Sequence, residues 1–155
     1  MKLLCDHMLG SLAKWLRILG FDTFYPSAET TDDELLKIAR DEDRLLISRD
    51  KELIARGKKM SLAVLEIHTT DLEEQLIVVL RRIGFDTSKL LTRCIVCNTP
   101  LVSVEKRRVK PYVPPKVFET RDAFWFCPRC TKYYWMGTHY ENMREKITAL
   151  QEKTT

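Results

Sequence analysis

The sequence predicts an α/β chain: a parallel sheet flanked by helices, then a β-rich module clipped by a metal, then a C-terminal helix. Three observations lead to this expectation. Over residues 1–90, short apolar runs alternate with segments of helical period, the pattern of a parallel sheet covered on both faces. Two Cys-x-x-Cys pairs follow, Cys94 with Cys97 and Cys127 with Cys130. Strand-like runs rich in aromatic and β-branched residues surround the second pair.

The elements follow in order. Leu3-Leu4-Cys5 is a short apolar strand ending at Asp6. Met8, Leu9, Leu12, Trp15, Leu16 and Leu19 have helical spacing, and Gly20 supplies a left-handed stop. Thr23-Phe24 is a candidate short strand. Thr31 and Glu34 form a capping box for a helix through Ala39. Arg44 to Ser48 is a second buried strand, and Lys51 to Arg56 is a short helix closed by Gly57. Ser61 to Ile67 is a third, largely apolar strand. Thr70 and Glu73 make another capping box, opening a helix that ends at Gly84. Segments 16–23 and 80–87 echo each other. We read them as two amphipathic helices with the same glycine stop, because the flanking sequence does not repeat.

Beyond residue 90, Leu101 to Val104, Ala123 to Phe126 and Tyr133 to Met136 read as strands. Pro111, Pro114 and Pro115 disfavour regular structure between the first two. Thr138 and Glu141 cap a final helix, Tyr140 to Glu152. Trp125, Phe126 and Trp135 are assigned to the small core of this module.

The cysteine pairs are the most specific local signal. Two thiolates two residues apart grip one metal from a single tight turn, and a second such turn completes a tetrahedral four-thiolate zinc site. The 29 residues between the pairs leave room for a β-rich ribbon. Disulfides need an oxidising compartment, and the N-terminus lacks the charged, apolar and cleavage regions of a secretory signal. The expectation is therefore structural zinc in a cytoplasmic protein. Cys5 lies within an apolar run and reads as core.

No apolar stretch is long enough to span a membrane. Residues 1–90 carry 14 Lys+Arg against 16 Asp+Glu, a net of −2, and residues 91–155 carry 12 against 6, a net of +6. An acidic half joined to a basic half suggests that one part handles cations and the other a polyanion.

Parallel sheets bind ligands at the carboxyl ends of their strands. Asp6 directly follows the first strand, Asp50 follows the second, Asp71 lies just beyond the third, and Asp32 and Asp33 open a helix that leans over the same edge. Clustered carboxylates are hard ligands suited to Mg²⁺ or Mn²⁺, and two such ions promote phosphodiester cleavage. Each acid also has a plain role as a helix cap, most strongly Asp71. A phosphatase motif would want Asp-x-Asp, but position 8 is Met, and a receiver domain would want an acidic pair before the first strand. There is no Gly-rich phosphate loop and no convincing Ser/His/Asp set. His7 follows Asp6 and either approaches the acidic edge or starts the helix, while His68 ends a strand and is expected to be exposed. His139 follows the ribbon, where four thiolates leave it no vacancy.

Asp6-His7-Met8-Leu9-Gly10-Ser11-Leu12-Ala13-Lys14-Trp15-Leu16-Arg17, then Asp32-Asp33-Glu34-Leu35, then Ile47-Ser48-Arg49-Asp50, the paired knuckles, and Tyr134-Trp135-Met136-Gly137-Thr138-His139 appear in that order. This closely resembles the Mut7-C RNase family over nearly the whole chain. The resemblance implies a PIN-like nuclease domain over residues 1–90 and a zinc ribbon with a C-terminal helix over 91–155. It implies metal-binding roles for Asp6, Asp50 and one of Asp32 and Asp33. Many PIN nucleases carry a fourth acid, for which Asp71 is the candidate.

The basic run Lys106-Arg107-Arg108-Val109-Lys110 lies among Tyr112, Phe118, Trp125, Tyr133 and Tyr134. Cations neutralise phosphates and aromatic faces stack on unpaired bases, so the partner expected is single-stranded RNA. Two functions remain: a Mg/Mn-dependent ribonuclease whose ribbon grips RNA, or a non-catalytic zinc-ribbon module binding RNA or protein on a PIN-like scaffold.

Overall fold

The computed structural model describes residues 1–154. The side chains of residues 139, 140 and 143 are not described, so the expectation for His139 lies outside the described residues. Strands β1 (Lys2–Cys5), β2 (Asp22–Phe24), β3 (Leu45–Ser48) and β4 (Val64–Glu66) form a parallel sheet in the order β2-β1-β3-β4. They alternate with helices α1 (Gly10–Ile18), α2 (Asp32–Asp41) and α3 (Lys51–Lys59), and α4 (Leu72–Ile83) follows β4.

Alternate residues of the central strands feed two cores, as the period of a strand requires. Leu3, Cys5, Leu45 and Ile47 face Leu12 and Leu16 of α1 and Leu76, Val79 and Leu80 of α4. Leu4 and Leu46 face Leu35, Leu36 and Ala39 of α2 and Leu53 of α3. Burial on both faces is why these strands read as unbroken apolar runs. Cys5 is fully buried, as expected.

The second unit is a three-stranded antiparallel sheet of β5 (Val102–Val104), β6 (Phe124–Cys127) and β7 (Lys132–Trp135). Short helices α5 (Lys106–Val109) and α6 (Pro115–Thr120) lie between β5 and β6. The last helix, α7 (Thr138–Thr154), returns to the first sheet, where Ile147 and Leu150 join the core shared by α1 and α4.

Several boundaries differ from expectation for identifiable reasons. A 3-10 turn, His7–Leu9, precedes α1 and leaves Met8 exposed. Gly57 does not close α3; it lies inside it, because a Cβ there would meet Val64 Cγ1 at 2.9 Å and Leu46 Cδ2 at 3.1 Å. The glycine lets the helix sit directly on the sheet. The third strand shortens to Val64–Glu66. The Thr70–Glu73 box gives way to Asp71, which caps α4 through Glu74 N, while Thr31 does cap α2 through Glu34 N. The prolines do not prevent helix: Pro115 occupies the first turn of α6, where a missing N–H costs nothing. Helix α7 starts at Thr138 itself, and Glu141 pairs with Arg121. Gly20 and Gly84 both have positive φ, 93° and 83°, consistent with the shared helix stop. The fully buried aromatics of the ribbon are Phe124 and Tyr134, with Trp125, Phe126 and Trp135 half-buried.

Candidate active site and metal centre

All four strands of the first sheet run the same way, so the ends of the strands and the starts of the following helices share one edge. From β1 the chain crosses to β2 on one side, and from β3 to β4 on the other. Winding reverses between β1 and β3, the crevice where open α/β sheets bind ligands.

Asp6 and Asp50 flank that crevice. The Asp6 backbone N–H donates to Ile47 O at 3.2 Å, extending the β1–β3 ladder by one residue. Its side chain is only 4% exposed. Oδ1 accepts from Met8 N at 2.9 Å, and Oδ2 accepts from Ser48 Oγ. The same Ser48 hydroxyl accepts from Asp50 N at 2.9 Å. Asp50 Oδ1 caps α3 through Glu52 N at 2.9 Å and Leu53 N at 3.3 Å. One buried hydroxyl thus fixes the relation between the two acids. Sequence reasoning missed Ser48; its signal is a small hydroxyl ending an otherwise apolar strand.

The other acids share no hydrogen bond with this pair. Asp32 and Asp33 open α2 and are exposed, and Asp33 is ion-paired with Arg56 of α3. Asp71 is exposed and accepts from Glu74 N at 2.9 Å. Glu66, also missed, ends β4 in register with Ser48. Strand partners in register present their side chains on one face, so Asp6, Ser48 and Glu66 form a row across three strands. Glu66 is half-buried and lies 3.4 Å from Nδ1 of the exposed His68. His7 Nε2 is 2.8 Å from Ser27 O, and Tyr25 Oη donates to His7 O at 2.7 Å. Both contacts fasten the loop before α2 over the start of α1.

Among the described residues, the group of metal-ligating side chains that closes is Cys94, Cys97, Cys127 and Cys130, with sulfurs all within 4.8 Å of one another. The Cys94–Cys130 and Cys97–Cys127 sulfur separations are 3.9 and 3.5 Å. The thiols are free. Four thiolates about 2.3 Å from one zinc would lie about 3.8 Å apart, so the donor set fits zinc in both chemistry and spacing. Tyr134 Oη lies 3.0 Å from Cys94 Sγ, and Cys130 N donates to Cys127 Sγ at 3.3 Å. Such partners hold thiolate ligands in orientation. Burial pushes the Cys97 thiol up, but hydrogen bonds with Thr99 outweigh it and bring it down to about 6.

The first knuckle is tied to the parallel sheet. Arg17, buried on α1, donates to Thr23 O at 3.0 Å, Ile95 O at 3.0 Å and Val96 O at 3.1 Å. Asn98 accepts from Thr23 N at 3.0 Å and donates to Asp22 Oδ1 at 2.7 Å. Arg44 donates to the same oxygen at 2.8 Å. Burial pushes the Asp22 carboxyl up; its hydrogen bonds with Asn98 and Arg44 and the charges of Arg44 and Arg93 hold it below the usual range.

The basic run lies on and just after α5. Lys106 pairs with Asp122 at 3.2 Å and Arg107 with Glu105 at 2.5 Å; Arg108 and Lys110 are exposed. The ammonium groups of Lys106 and Lys110 lie 5.1 and 5.7 Å from the Phe118 ring centre. No helix of the described residues is long and apolar enough to cross a membrane. The family model of the Mut7-C RNAse domain matches residues 1–147. Neither the curated proteins nor the solved structures contain a match to this chain.

Proposed function

Because the chain belongs to the Mut7-C RNAse domain family, we propose that it is a metal-dependent ribonuclease acting on single-stranded RNA at the carboxyl edge of its parallel sheet. The observation that carries this reading is Asp6: a buried carboxylate at the switch-point crevice, joined through Ser48 to Asp50. Among the described residues no cation pairs with Asp6 within 4 Å, and a buried anion lacking a countercharge is costly.

Oxygen donors of this kind suit Mg²⁺ or Mn²⁺. Asp6 and Asp50 would hold the ion, with Asp32 or Asp33 from α2. For the fourth acid, Glu66 is better supported than Asp71, because it shares a strand row with Ser48, whereas Asp71 is an exposed cap. A bound divalent ion supplies polarisation of the phosphodiester and acidification of a water. The chain's own contribution is to fix the carboxylates: Ser48 orients Asp6, and the start of α3 orients Asp50. Lys106, Arg107, Arg108 and Lys110 would neutralise phosphates and bring the polyanion to an acidic edge that repels it.

The non-catalytic reading draws on a different fact: both Asp6 oxygens already hold donors, and the acids line the edge without closing as the cysteines do. Asp6→Asn and Asp50→Asn separate the two. Mg²⁺- or Mn²⁺-dependent cleavage is expected to fall by about 10²-fold or more, with RNA binding retained. Undiminished cleavage by the double variant overturns the assignment. Wild-type protein that binds RNA and never cleaves it selects the binding module.

A further inference from the structure

The ribbon carries an aromatic feature that zinc binding and phosphodiester cleavage do not use. Among the described residues, Tyr112 stands out as an exposed large aromatic ring, 65% exposed. It is not a loose side chain. Its ring stacks on Tyr133 of β7, with centroids 5.1 Å apart and planes within 13°. Tyr133 in turn rests on Phe126 of β6 at 4.9 Å. The three rings form a pile that starts on the sheet and ends at the surface.

The backbone holds Tyr112 there. It closes a 3-10 turn, Lys110–Tyr112, that contains Pro111, and Val113 leads in extended form into Pro114 and Pro115. Proline restricts φ, so the ring pays little ordering entropy on meeting a ligand. Just before Tyr112 in the chain stand the exposed cations Arg108 and Lys110, the latter in the same 3-10 turn.

We propose that Tyr112 is the stacking platform for an unpaired nucleobase, with the base on the outer face of the ring and the flanking cations on the adjacent phosphates. Stacking on an aromatic face tolerates any base but needs it unpaired. The ligand class is therefore single-stranded nucleic acid. The site deepens the ribonuclease reading, resting on it for the choice of RNA, but is independent of the acids that would cut.

The test uses full-length zinc-loaded protein without added magnesium or manganese, so that binding is read apart from cleavage. The probes are a short single-stranded RNA, the same RNA as a duplex, and a chain of the same length without bases. Tyr112→Leu keeps an apolar cover over Tyr133 but removes the π face, and Tyr112→Phe keeps it. Tyr112→Leu is expected to weaken single-strand binding by about 5- to 150-fold, the range for one stacked base. The Phe variant should bind like wild type. Because no phosphate contact is lost, the salt dependence should keep its slope. Duplex and abasic chains should bind the Leu variant and wild type alike. The proposal is overturned if Tyr112→Leu, with zinc content and melting temperature unchanged, binds the single strand as tightly as wild type. It is also overturned if wild type binds the abasic chain as well as the RNA. Loss of binding in Tyr112→Leu beside intact cleavage in Asp6→Asn would remove the catalytic reading and leave this one standing.

Discussion

Ser48 does more for the candidate site than its size suggests. Its Oγ donates to Asp6 and accepts from Asp50 N, so the buried acid and the cap of α3 share one atom. In Ser48→Ala the Asp6 carboxylate loses a donor and the Asp50 amide an acceptor. An unmet buried polar group costs about 1–3 kcal/mol. We expect a destabilisation of that size in denaturant unfolding, together with a larger loss of metal-dependent cleavage than of RNA binding. A Ser48→Ala protein with wild-type stability and wild-type cleavage would show that the hydroxyl positions nothing. The placing of Asp6 at a strand end was legible in sequence because an apolar strand runs straight into it. Ser48, Glu66 and the contacts of Arg17 were not, because each gains its meaning from strand register or from a partner as many as 79 residues away. Asp71 illustrates the opposite limit: its capping role was readable one residue at a time, and the structure bears that role out.

At the scale of elements, the junction between β2 and the first knuckle combines Asn98, Asp22, Arg44 and Arg17 in one hydrogen-bonded set. Asn98 sits at φ 70°, a conformation Asn tolerates better than most residues. Asn98→Ala removes the acceptor for Thr23 N and the donor to Asp22, and should cost about 1–3 kcal/mol. Asp22 adds a pH dependence. Its carboxyl is held below the usual range in the folded protein. A depressed pKa stabilises the fold above the unfolded value of about 3.9, and that contribution is lost as pH falls through the folded value. Stability measured downward from pH 5 should therefore fall less steeply in Asp22→Asn than in wild type; identical slopes would dismiss the linkage. Helix order and strand order were legible from periodicity and caps. The span of α3 was not, because Gly57 reads locally as a stop, whereas its purpose is to let Val64 and Leu46 approach the helix.

For the molecule as a whole, a zinc held by the four cysteines would stabilise a different part of the chain from the parallel sheet. The ribbon has small cores around the cysteines and around Val109, Val113 and Phe124, and structural zinc contributes on the order of 10–16 kcal/mol to the folding of such modules. The parallel sheet has larger cores on both faces. Although α7 follows the ribbon in sequence, Ile147 and Leu150 place it in the first of those cores. Removal of the metal should therefore act unevenly. In a chelator titration followed by amide exchange, β5, β6 and β7 should lose protection first. The amides of β1, β3 and α4 should keep theirs, and α7, held by its own packing, should follow the sheet rather than the strands it adjoins. Cys130→Ser should reproduce the pattern without chelator. The knuckle's ties to Asp22 and Thr23 make β2 the strand of the first sheet most affected. If protection instead disappears everywhere in one transition, the ribbon and the sheet form a single cooperative unit, and zinc supports the acidic edge as directly as it supports the ribbon.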